Sequence, residues 1–191
     1  MITMKDMKYE GDLLLKQKCE PVSQPISEED KIVLRDLLEY VINSQDSEMN
    51  EKYSLRPAVG LAAPQIGVLK RMFAIMANDE EGKLFVLPLI NPKIISHSEE
   101  KIYLSTGEGC ISVKRPTDGV TPRYKEITFE AIIWNYKRAV FEKTRMKLKD
   151  YIAVIFQHEY DHLDGILYVD KLFKSLPDAT PIMEELEEEE K

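Results

Sequence analysis

The apolar positions recur along the chain with two different spacings, and the first of these is the spacing of a helix. The clearest early pattern follows Ser27, a residue type that favours the N-cap, with Asp30 at the capping-box position three residues later. The apolar positions are Leu34, Leu37, Leu38 and Val41. Their spacing predicts a helix with one buried face, which fades near Asp46 into a loop or a fraying helix end.

Shorter apolar runs in the middle of the chain predict strands. The runs are residues 71–76, 84–90, 124–134 and 138–148. Asn91-Pro92 is expected to break the second run, because proline has no N–H to donate to a strand ladder. Residues 93–97 then continue as extended chain.

A second helical pattern covers residues 150–163 and is apolar on most sides. Asp150 is the expected N-cap and Gly165 the expected terminator. A helix that is apolar nearly all round is buried, so we expect it to pack into the sheet. It nevertheless carries four titratable side chains, which are His158, Glu159, Asp161 and His162. Such groups are costly in a buried helix unless something compensates them, and this conflict predicts a functional site.

The titratable residues include the pattern H-E-x-x-H at positions 158–162. Residues four apart lie on the same face of a helix, with Cβ atoms about 5–6 Å apart, so His158 and His162 can chelate one divalent ion. Glu159 would lie close enough to exchange a proton with a water molecule on that ion. Two satisfied buried histidines are the structural alternative, and the apolar character of the helix disfavours them.

A catalytic metal site normally has a third protein ligand. His97 lies between serines in a strand-like run and is expected on the surface, and Cys19 has no motif around it. Cys110 follows two glycines in the run TGEGCIS, where a thiolate would be a tight ligand. A small buried core cysteine fits the same pattern equally well, so the spacing leaves both roles of Cys110 open.

Together these patterns predict an α+β fold, with mixed, mainly antiparallel strands around the buried metal-binding helix. The helix after Ser27 is expected to pack outside the strands. A length of 191 residues fits one catalytic domain, which we place at residues 1–175. Residues 176–191 are predicted to be an acidic, disordered tail.

The charge of the chain is concentrated in that tail. The formal net charge is −8, and residues 184–191, with six Glu and one Lys, contribute −5 of it. The remaining −3 offers no basic face for phosphates, so nucleic-acid binding is not expected. No apolar run reaches 18 residues and the first residues lack a signal-peptide pattern, so no membrane association is expected. Two cysteines are too few for a disulfide scaffold and favour a cytoplasmic location.

Three segments of the sequence resemble the motifs of one family, the peptide deformylases. Residues 58–65, AVGLAAPQ, resemble G-x-G-L-A-A-P-Q; residues 108–112, EGCIS, resemble E-G-C-L-S; and residues 157–163, QHEYDHL, resemble Q-H-E-x-D-H-L. The order and spacing of the motifs also match, over about residues 1–168. The long loop before the first motif and the residues after Val113 resemble the longer subclass typical of Gram-positive bacteria.

The resemblance implies a hydrolase that removes the N-formyl group from the N-terminal formylmethionine of newly made polypeptides and releases formate. Cys110 would then join His158 and His162 as a metal ligand. The implied metal is ferrous iron, with nickel, cobalt or zinc able to occupy the site in a purified sample, and the residues alone do not choose among them. The implied partners are N-formylmethionyl nascent peptides, and a monomer is expected.

The resemblance also implies roles in the reaction. Hydroxide on the metal would attack the formyl carbon, with Glu159 as general base and then general acid. The side-chain amide of Gln65 and the backbone N–H of Ile111 would stabilise the charge that develops on the formyl oxygen. Gly60 would let the peptide backbone pair closely with the enzyme.

The remaining residues of the expected substrate site are Val59, Glu108, Gly109 and Val154. Val154 lies one turn before His158 and points toward the same side, so with Val59 it could line a slot for the methionine side chain. Plain core packing is the other interpretation of Val154. Glu108 is expected to be structural, with Arg123 as its buried partner.

Two positions depart from the family pattern. Ala58 replaces the first glycine of the first motif, and it would be strained if that position required a positive φ. Ile111 replaces leucine, which should matter little because its expected role uses the backbone.

Two other functions share part of this pattern. A zinc metalloprotease also has H-E-x-x-H, but the third histidine of its extended motif would fall at Tyr168, and the alternative downstream glutamate would come from the acidic tail. A non-catalytic protein that binds formylated peptides is supported by Ala58 and opposed by Gln65, Cys110 and Glu159. Formate release from formyl-Met-Ala-Ser by anaerobically prepared iron enzyme distinguishes the three functions.

Overall fold

The computed structural model describes residues 1–135 and 138–183. The helices are α1 (Glu28–Gln45), α2 (Ser47–Tyr53) and α3 (Asp150–Leu163), and short 3₁₀ turns cover Leu13–Lys16, Ala63–Ile66 and Tyr168–Lys171. The strands are β1 (Gly60–Ala62), β2 (Met72–Asn78), β3 (Leu84–His97), β4 (Lys101–Leu104), β5 (Arg123–Tyr124), β6 (Glu126–Asn135), β7 (Val140–Lys149) and β8 (Ala179–Ile182). Within the described ranges, no helix has the length and apolar character that a membrane span requires.

The strands form two sheets, which confirms the predicted α+β fold. Five antiparallel strands follow the order β1-β2-β3-β6-β7, and three more follow the order β5-β4-β8, with β8 parallel to β4. The four predicted strand runs pair as two hairpins, β2–β3 and β6–β7. Residues 136–137, in the second hairpin's connection, lie outside the described residues.

The strand β2 separates the two large helices. Successive residues of a strand point to opposite faces, so Phe73 of β2 packs toward α3 while Met72 packs toward α1. Phe156 of α3 lies between Phe73 and Phe129 of β6, with ring centroids 5.1 and 4.5 Å away. Because both faces of β2 are covered, its residues are apolar without alternation. The helix that carries the H-E-x-x-H pattern is therefore buried in the core, as predicted.

The helix α1 begins where its capping pattern predicts. The Ser27 hydroxyl accepts a hydrogen bond of 3.1 Å from the backbone N–H of Asp30. The four predicted apolar positions, Leu34, Leu37, Leu38 and Val41, are all buried. The polar stretch that follows is a second helix, α2, because Asp46 caps it and accepts a bond of 2.9 Å from the N–H of Met49.

Asn91-Pro92 does not end β3, contrary to the prediction. The pairing of β3 with β6 shifts register between Ile90 and Lys93, so the chain bulges there and then continues. The side chain of Asn91 holds the bulge, since its amide exchanges two hydrogen bonds of 2.8 Å with the backbone of Val22.

The N-terminus of α3 is capped from a distant part of the chain. Asp150 is the first residue of the helix rather than its N-cap, and the preceding Lys149 makes no side-chain capping bond. Glu80, in the β2–β3 turn, accepts a hydrogen bond of 3.1 Å from the N–H of Tyr151. The predicted cap at Asp150 is therefore wrong. At the other end, Gly165 has a φ of 73°, which confirms the predicted terminator.

The chain forms a strand inside the segment for which the sequence predicts a disordered tail. The strand β8 pairs with β4 over residues 179–182, although that tail is predicted from residue 176. Pro181 is tolerated because β8 lies at the edge of its sheet. Residues 184–191 lie outside the described residues, and the division of the chain at residue 175 stays a prediction.

Candidate functional site

Three candidate ligand side chains converge beside α3. His158 and His162 project from the helix one turn apart, with ring centroids 5.1 Å from each other. Cys110 comes from the loop after β4, and its Sγ lies 3.4 Å from Nε2 of His162. The ligand atoms of the three residues all lie within 4.8 Å of one another, close enough to share one ion. His97 is exposed on β3, as predicted, and Cys19 is buried in the core.

The loop that carries Cys110 turns sharply after β4. Gly107 has a φ of 77°, in the left-handed region, and its N–H donates a bond of 2.9 Å to the carbonyl of Leu104. A residue with a side chain would be strained at this φ. The turn brings both Glu108 and Cys110 against the histidines of α3.

The ring of His158 is oriented by a buried charged network. Its Nδ1 lies 2.7 Å from Oε2 of Glu108, which leaves Nε2 for the ligand cluster. Arg123 donates two bonds of 2.7 and 2.8 Å to Glu108, so the buried pair expected from the sequence is present. Arg123 also donates a bond of 2.6 Å to Asp161. Burial raises the pKa of Glu108, but Arg123 outweighs this effect and holds that pKa at about 2.

The electrostatics of the cluster favour a thiolate beside imidazoles. Burial raises the pKa of the Cys110 thiol, but His162 and His158 outweigh it and hold the pKa well below its usual value. Burial lowers the pKa of His158, while its bonds to Cys110 and Glu108 raise that pKa well above the usual value. One thiolate and two imidazoles suit divalent iron, cobalt, nickel or zinc. The residues present therefore fit a divalent metal ion.

Glu159 lies beside the cluster and is almost completely buried. It is 4% exposed, and within residues 1–135 and 138–183 its Oε2 has no hydrogen-bond partner. Burial raises the pKa of Glu159 to about 7, and the nearby His158 offsets this rise only in part. A carboxyl group with such a pKa can both accept and donate a proton near neutral pH.

The backbone of Gly60 leaves the space that Glu159 occupies. A Cβ atom on Gly60 would lie 2.7 Å from Cδ and 2.8 Å from Cγ of Glu159, closer than real Cβ contacts. The sequence predicts that Gly60 allows a close approach of substrate backbone. The structure shows in addition that Gly60 allows the close approach of a side chain from α3.

The amide of Gln65 is fixed in direction. Gln65 lies in the 3₁₀ turn after β1, and its Oε1 accepts a bond of 2.8 Å from the N–H of Ala62. Its Nε2 donates a bond of 3.1 Å to the hydroxyl of Ser112 and lies 3.5 Å from Sγ of Cys110. The amide nitrogen therefore faces the ligand cluster. Ser112 is fully buried and was not nominated from the sequence, although it closes the EGCIS run.

The cluster lies in a cleft of about 500 Å³, a typical size for a ligand site. Ten of the eleven residues nominated from the sequence line this cleft, and the eleventh, His162, lies behind them at 1% exposure. The ten are Val59, Gly60, Gln65, Glu108, Gly109, Cys110, Ile111, Val154, His158 and Glu159. The structure therefore brings the nominated residues together in one place, while their individual roles stay predictions.

The alanine that departs from the first motif fits without strain. Ala58 lines the cleft and is absent from the residues with positive φ. Its nitrogen donates a bond of 3.1 Å to the hydroxyl of Ser44, and its carbonyl accepts one of 2.9 Å from the side chain of Gln45. The strain that a positive φ would impose on Ala58 is therefore absent.

Two side chains that the sequence did not mark complete the surroundings of His158. The ring of Tyr168 stacks on His158, with centroids 5.8 Å apart. The ammonium of Lys171 lies 2.8 Å from both carboxylate oxygens of Asp161. Both residues lie on the 3₁₀ turn after α3, beyond the three motifs. The extended metalloprotease motif reaches Tyr168 but requires a histidine there, so it does not indicate a role for tyrosine. Asp161 could be identified from the sequence, because a charged residue on a largely apolar helix needs a partner.

Comparison with known protein families matches residues 4–177 to the family described as Polypeptide deformylase. Among curated relatives, peptide deformylase 2 of Bacillus cereus is 51% identical over 181 residues, which are 95% of this chain and 96% of that protein. The peptide deformylase of Shouchella clausii is 49% identical over 172 residues, which are 90% of this chain and 91% of that protein.

Solved structures show the same likeness. A probable peptide deformylase from Synechococcus phage S-SSM7 superposes with a TM-score of 0.67 at 33% identity, over 87% of this chain and 98% of that one. The peptide deformylase from Thermus thermophilus superposes with a TM-score of 0.68 at 30% identity, over 91% of this chain and 88% of that one. The similarity therefore extends over most of the chain.

Proposed function

Because this chain belongs to the peptide deformylase family, it removes N-formyl groups from newly made polypeptides, and we propose that it does so as a metal-dependent hydrolase of N-terminal formylmethionine. The observation that carries this proposal is the convergence of three ligand atoms within 4.8 Å. A buried carboxyl group with a pKa of about 7 lies next to them. Ligands and a proton carrier in one cleft are the parts that such a hydrolysis requires.

Cys110, His158 and His162 would hold one divalent ion, for which we propose ferrous iron, with nickel, cobalt or zinc as substitutes in a purified sample. Such an ion, when bound, supplies a Lewis acid that lowers the pKa of water and polarises a carbonyl oxygen. The thiolate of Cys110 is favoured by the neighbouring imidazoles, and the ring of His158 is held by Glu108. The protein thus contributes fixed ligands with one side open to the cleft.

Glu159 holds and moves the proton in the proposed reaction. Its carboxylate takes a proton from the water that attacks the formyl carbon. It then gives this proton to the departing amine nitrogen as the carbon–nitrogen bond breaks, so that formate and a free N-terminus result. The buried position that raises the pKa of Glu159 to about 7 suits both steps at neutral pH.

Gln65 and Ile111 would stabilise the formyl oxygen as negative charge develops on it. The Gln65 amide nitrogen already faces the cluster, because Ala62 and Ser112 fix the direction of the group. Ile111 directly follows Cys110 and lines the same cleft, and its backbone N–H would be the second donor to the same oxygen. Loss of one such donor typically raises the barrier by about 3–4 kcal/mol.

The methionine side chain of the substrate would occupy the apolar part of the cleft. Val154 and Val59 line the cleft, and the unbranched thioether of methionine would pack against their side chains. Gly60 and Gly109 also line the cleft and leave room for the substrate backbone. The substrates would be the N-terminal segments of nascent chains.

The proton role is tested with Glu159→Ala. We expect this variant to bind one divalent ion per chain, as wild type does, and to release no formate from formyl-Met-Ala-Ser in anaerobic iron-loaded form. His162→Ala should lose the ion, whereas His97→Ala, which removes an exposed histidine, should keep both the ion and the activity. Formate release by Glu159→Ala at the wild-type rate would contradict the mechanism, and metal retention by His162→Ala would contradict the ligand set.

A further inference from the structure

We propose that Lys171 is a positioning residue for the metal centre, because it anchors Asp161 and, through Arg123 and Glu108, holds the imidazole of His158 in place. The inference rests on the metal site proposed above. It adds to that site a residue that lies outside the three motifs, on the 3₁₀ turn that follows α3.

An unbroken series of polar contacts leads from Lys171 to His158. The Lys171 ammonium lies 2.8 Å from both carboxylate oxygens of Asp161, and Oδ2 of Asp161 accepts a bond of 2.6 Å from Nη1 of Arg123. Arg123 donates bonds of 2.7 and 2.8 Å to Glu108. Glu108 lies 2.7 Å from Nδ1 of His158. Each group therefore fixes the position of the next.

The charges of this series balance only when Lys171 is included. Glu108 and Asp161 are buried carboxylates at 8% and 9% exposure, and the guanidinium of Arg123, at 3% exposure, lies between them. A histidine that binds a metal ion is neutral, so His158 adds no positive charge and Arg123 alone cannot neutralise two buried carboxylates. An uncompensated buried charge is costly. Lys171 supplies the second positive charge, and Asp161 is its ion-pair partner within the described ranges.

Removal of the ammonium would disturb both histidines. Arg123 alone would then compensate Asp161, so its guanidinium would be drawn away from Glu108. Glu108 would hold Nδ1 of His158 less firmly, and Asp161 directly precedes His162 in the helix. Groups that orient metal ligands typically change metal affinity about 10–100-fold when they are removed.

The backbone of the turn is held by contacts that do not involve the ammonium. The N–H of Ile166 donates a bond of 3.0 Å to the carbonyl of Asp161, and the carboxylate of Asp170 accepts one of 2.9 Å from Leu167. The ring of Tyr168 is buried, and its hydroxyl lies 3.0 Å from that of Thr117. A substitution at Lys171 therefore tests the charged group rather than the presence of the turn.

Lys16, on the 3₁₀ turn Leu13–Lys16, provides a control because its partner lies on the same turn as Lys171. Its ammonium binds the carboxylate of Asp170, the neighbour of Lys171, at 2.6 and 2.8 Å. That pair is half exposed, at 48% and 41%, and among the described residues no hydrogen bond joins it to Asp161, Arg123 or Glu108. Lys16→Met thus removes a lysine–aspartate pair from the turn and leaves the orientation of the ligands unchanged.

The test compares wild type, Lys171→Met, Lys171→Arg and Lys16→Met after loading with Co²⁺. The visible absorption of Co²⁺ reports the ligand geometry, and the rate at which EDTA removes the ion reports its retention. We expect Lys171→Met to lose Co²⁺ about 10-fold faster than wild type, with an altered spectrum. Lys171→Arg, whose guanidinium can also pair with Asp161, and Lys16→Met should behave as wild type.

Identical spectra and rates in wild type and Lys171→Met would overturn the inference and leave the metal centre intact. Equal acceleration in Lys171→Met and Lys16→Met, with equal losses of melting temperature, would also overturn it, because any ion pair of the turn would then have the same effect. A wild-type protein that does not bind Co²⁺ would instead refute the proposed metal centre itself.

Discussion

At the residue scale, the tightest constraint in the cleft is the approach of Glu159 to Gly60. A Cβ on Gly60 would lie 2.7 Å from Cδ of Glu159, so one added methyl group must displace that carboxylate. We expect Gly60→Ala to lower kcat at least about 10-fold, because a small displacement of a proton-transferring group has a large effect on rate. Metal content should not change. The measurements are formate release and metal analysis on the same sample.

A matched substitution separates this effect from a general response to added volume. Gly109 also lines the cleft, but a Cβ built there meets nothing within 4 Å. Gly109→Ala should therefore keep kcat within about twofold of wild type when substrate is saturating, and any effect of the added methyl group on the substrate backbone should appear in KM. If both variants lost kcat to the same extent, the contact between Gly60 and Glu159 would not be the cause.

The two cysteines differ in a way that a thiol reagent can detect. Cys19 is packed in the core, and burial raises its pKa to about 11, so little of the reactive thiolate is present at neutral pH. Cys110 lines the cleft beside two imidazoles that favour its thiolate. We expect iodoacetamide at pH 7.5 to alkylate Cys110 in metal-free protein and to leave Cys19 unmodified. Bound Zn²⁺ should protect Cys110, as read by peptide mass spectrometry.

A Cys19→Ala variant, labelled in parallel, should show the same single modification. Modification of Cys110 at the same rate with and without Zn²⁺ would show that the thiol is not a ligand.

The ligand set could be predicted only in part from the residues themselves. His158 and His162 are four apart on one helix, so local geometry alone places them together. Cys110 meets them only through the turn at Gly107 and the pairing of Glu108 with Arg123, which are non-local features. For that reason its spacing left two roles open, and resemblance to a family had to decide between them.

At the element scale, the N-terminus of the helix that carries both histidines depends on a side chain from the β2–β3 hairpin. Glu80 accepts a bond of 3.1 Å from the N–H of Tyr151 in the first turn of α3, where a negative charge also favours the helix dipole. We expect Glu80→Ala to lower the free energy of unfolding by about 1 kcal/mol, as loss of an N-cap typically does. Urea denaturation of the metal-free protein measures the change.

The neighbouring Glu81 serves as the control for this prediction. Its contact is an exposed pair with Lys149 at 3.5 Å, and such pairs contribute little to stability. Glu81→Ala should therefore leave the urea midpoint within error of wild type. If the two variants were equally destabilised, the hydrogen bond to Tyr151 would not be a cap.

Elements whose signals are local could be predicted, and elements held by distant partners could not. The cap of α1 follows from Ser27 and Asp30, which lie in the same turn. The bulge in β3 depends on Val22, which binds the Asn91 amide from far along the chain, so the proline there suggested a strand end. The strand β8 is short and includes Pro181, so no alternation marked it.

At the scale of the whole molecule, the pairing of β8 with β4 brings the described C-terminal residues to the cleft of the candidate site. The hydroxyl of Ser105 donates a bond of 2.8 Å to the carbonyl of Met183, and Met183 lines the cleft. Residues 184–191 follow directly and carry a net charge of −5, from six Glu and one Lys. Exposed charges act over roughly 8 Å at physiological salt.

We therefore expect the substrate preference to depend on charge downstream of formylmethionine. Formyl-Met-Ala-Lys should have a higher kcat/KM than formyl-Met-Ala-Glu, and the ratio should fall toward one when the six glutamates of residues 184–190 become glutamine. The effect should lie in KM, since the tail glutamates have no role in the proposed proton transfer. High salt should reduce the ratio in wild type, because exposed charges are screened.

A substitution at Arg56 should have the opposite effect on this preference. Arg56 also lines the cleft, it is exposed, and its Nη1 donates to the carbonyls of Ile111 and Val113. Among residues 1–135 and 138–183, no carboxylate forms an ion pair with it. Arg56→Gln should therefore raise the Lys-to-Glu ratio, while neutralisation of the tail lowers it. If the ratio were insensitive to salt and to both changes, the charge at the rim would have no part in selecting nascent chains, and contacts within the cleft would account for specificity.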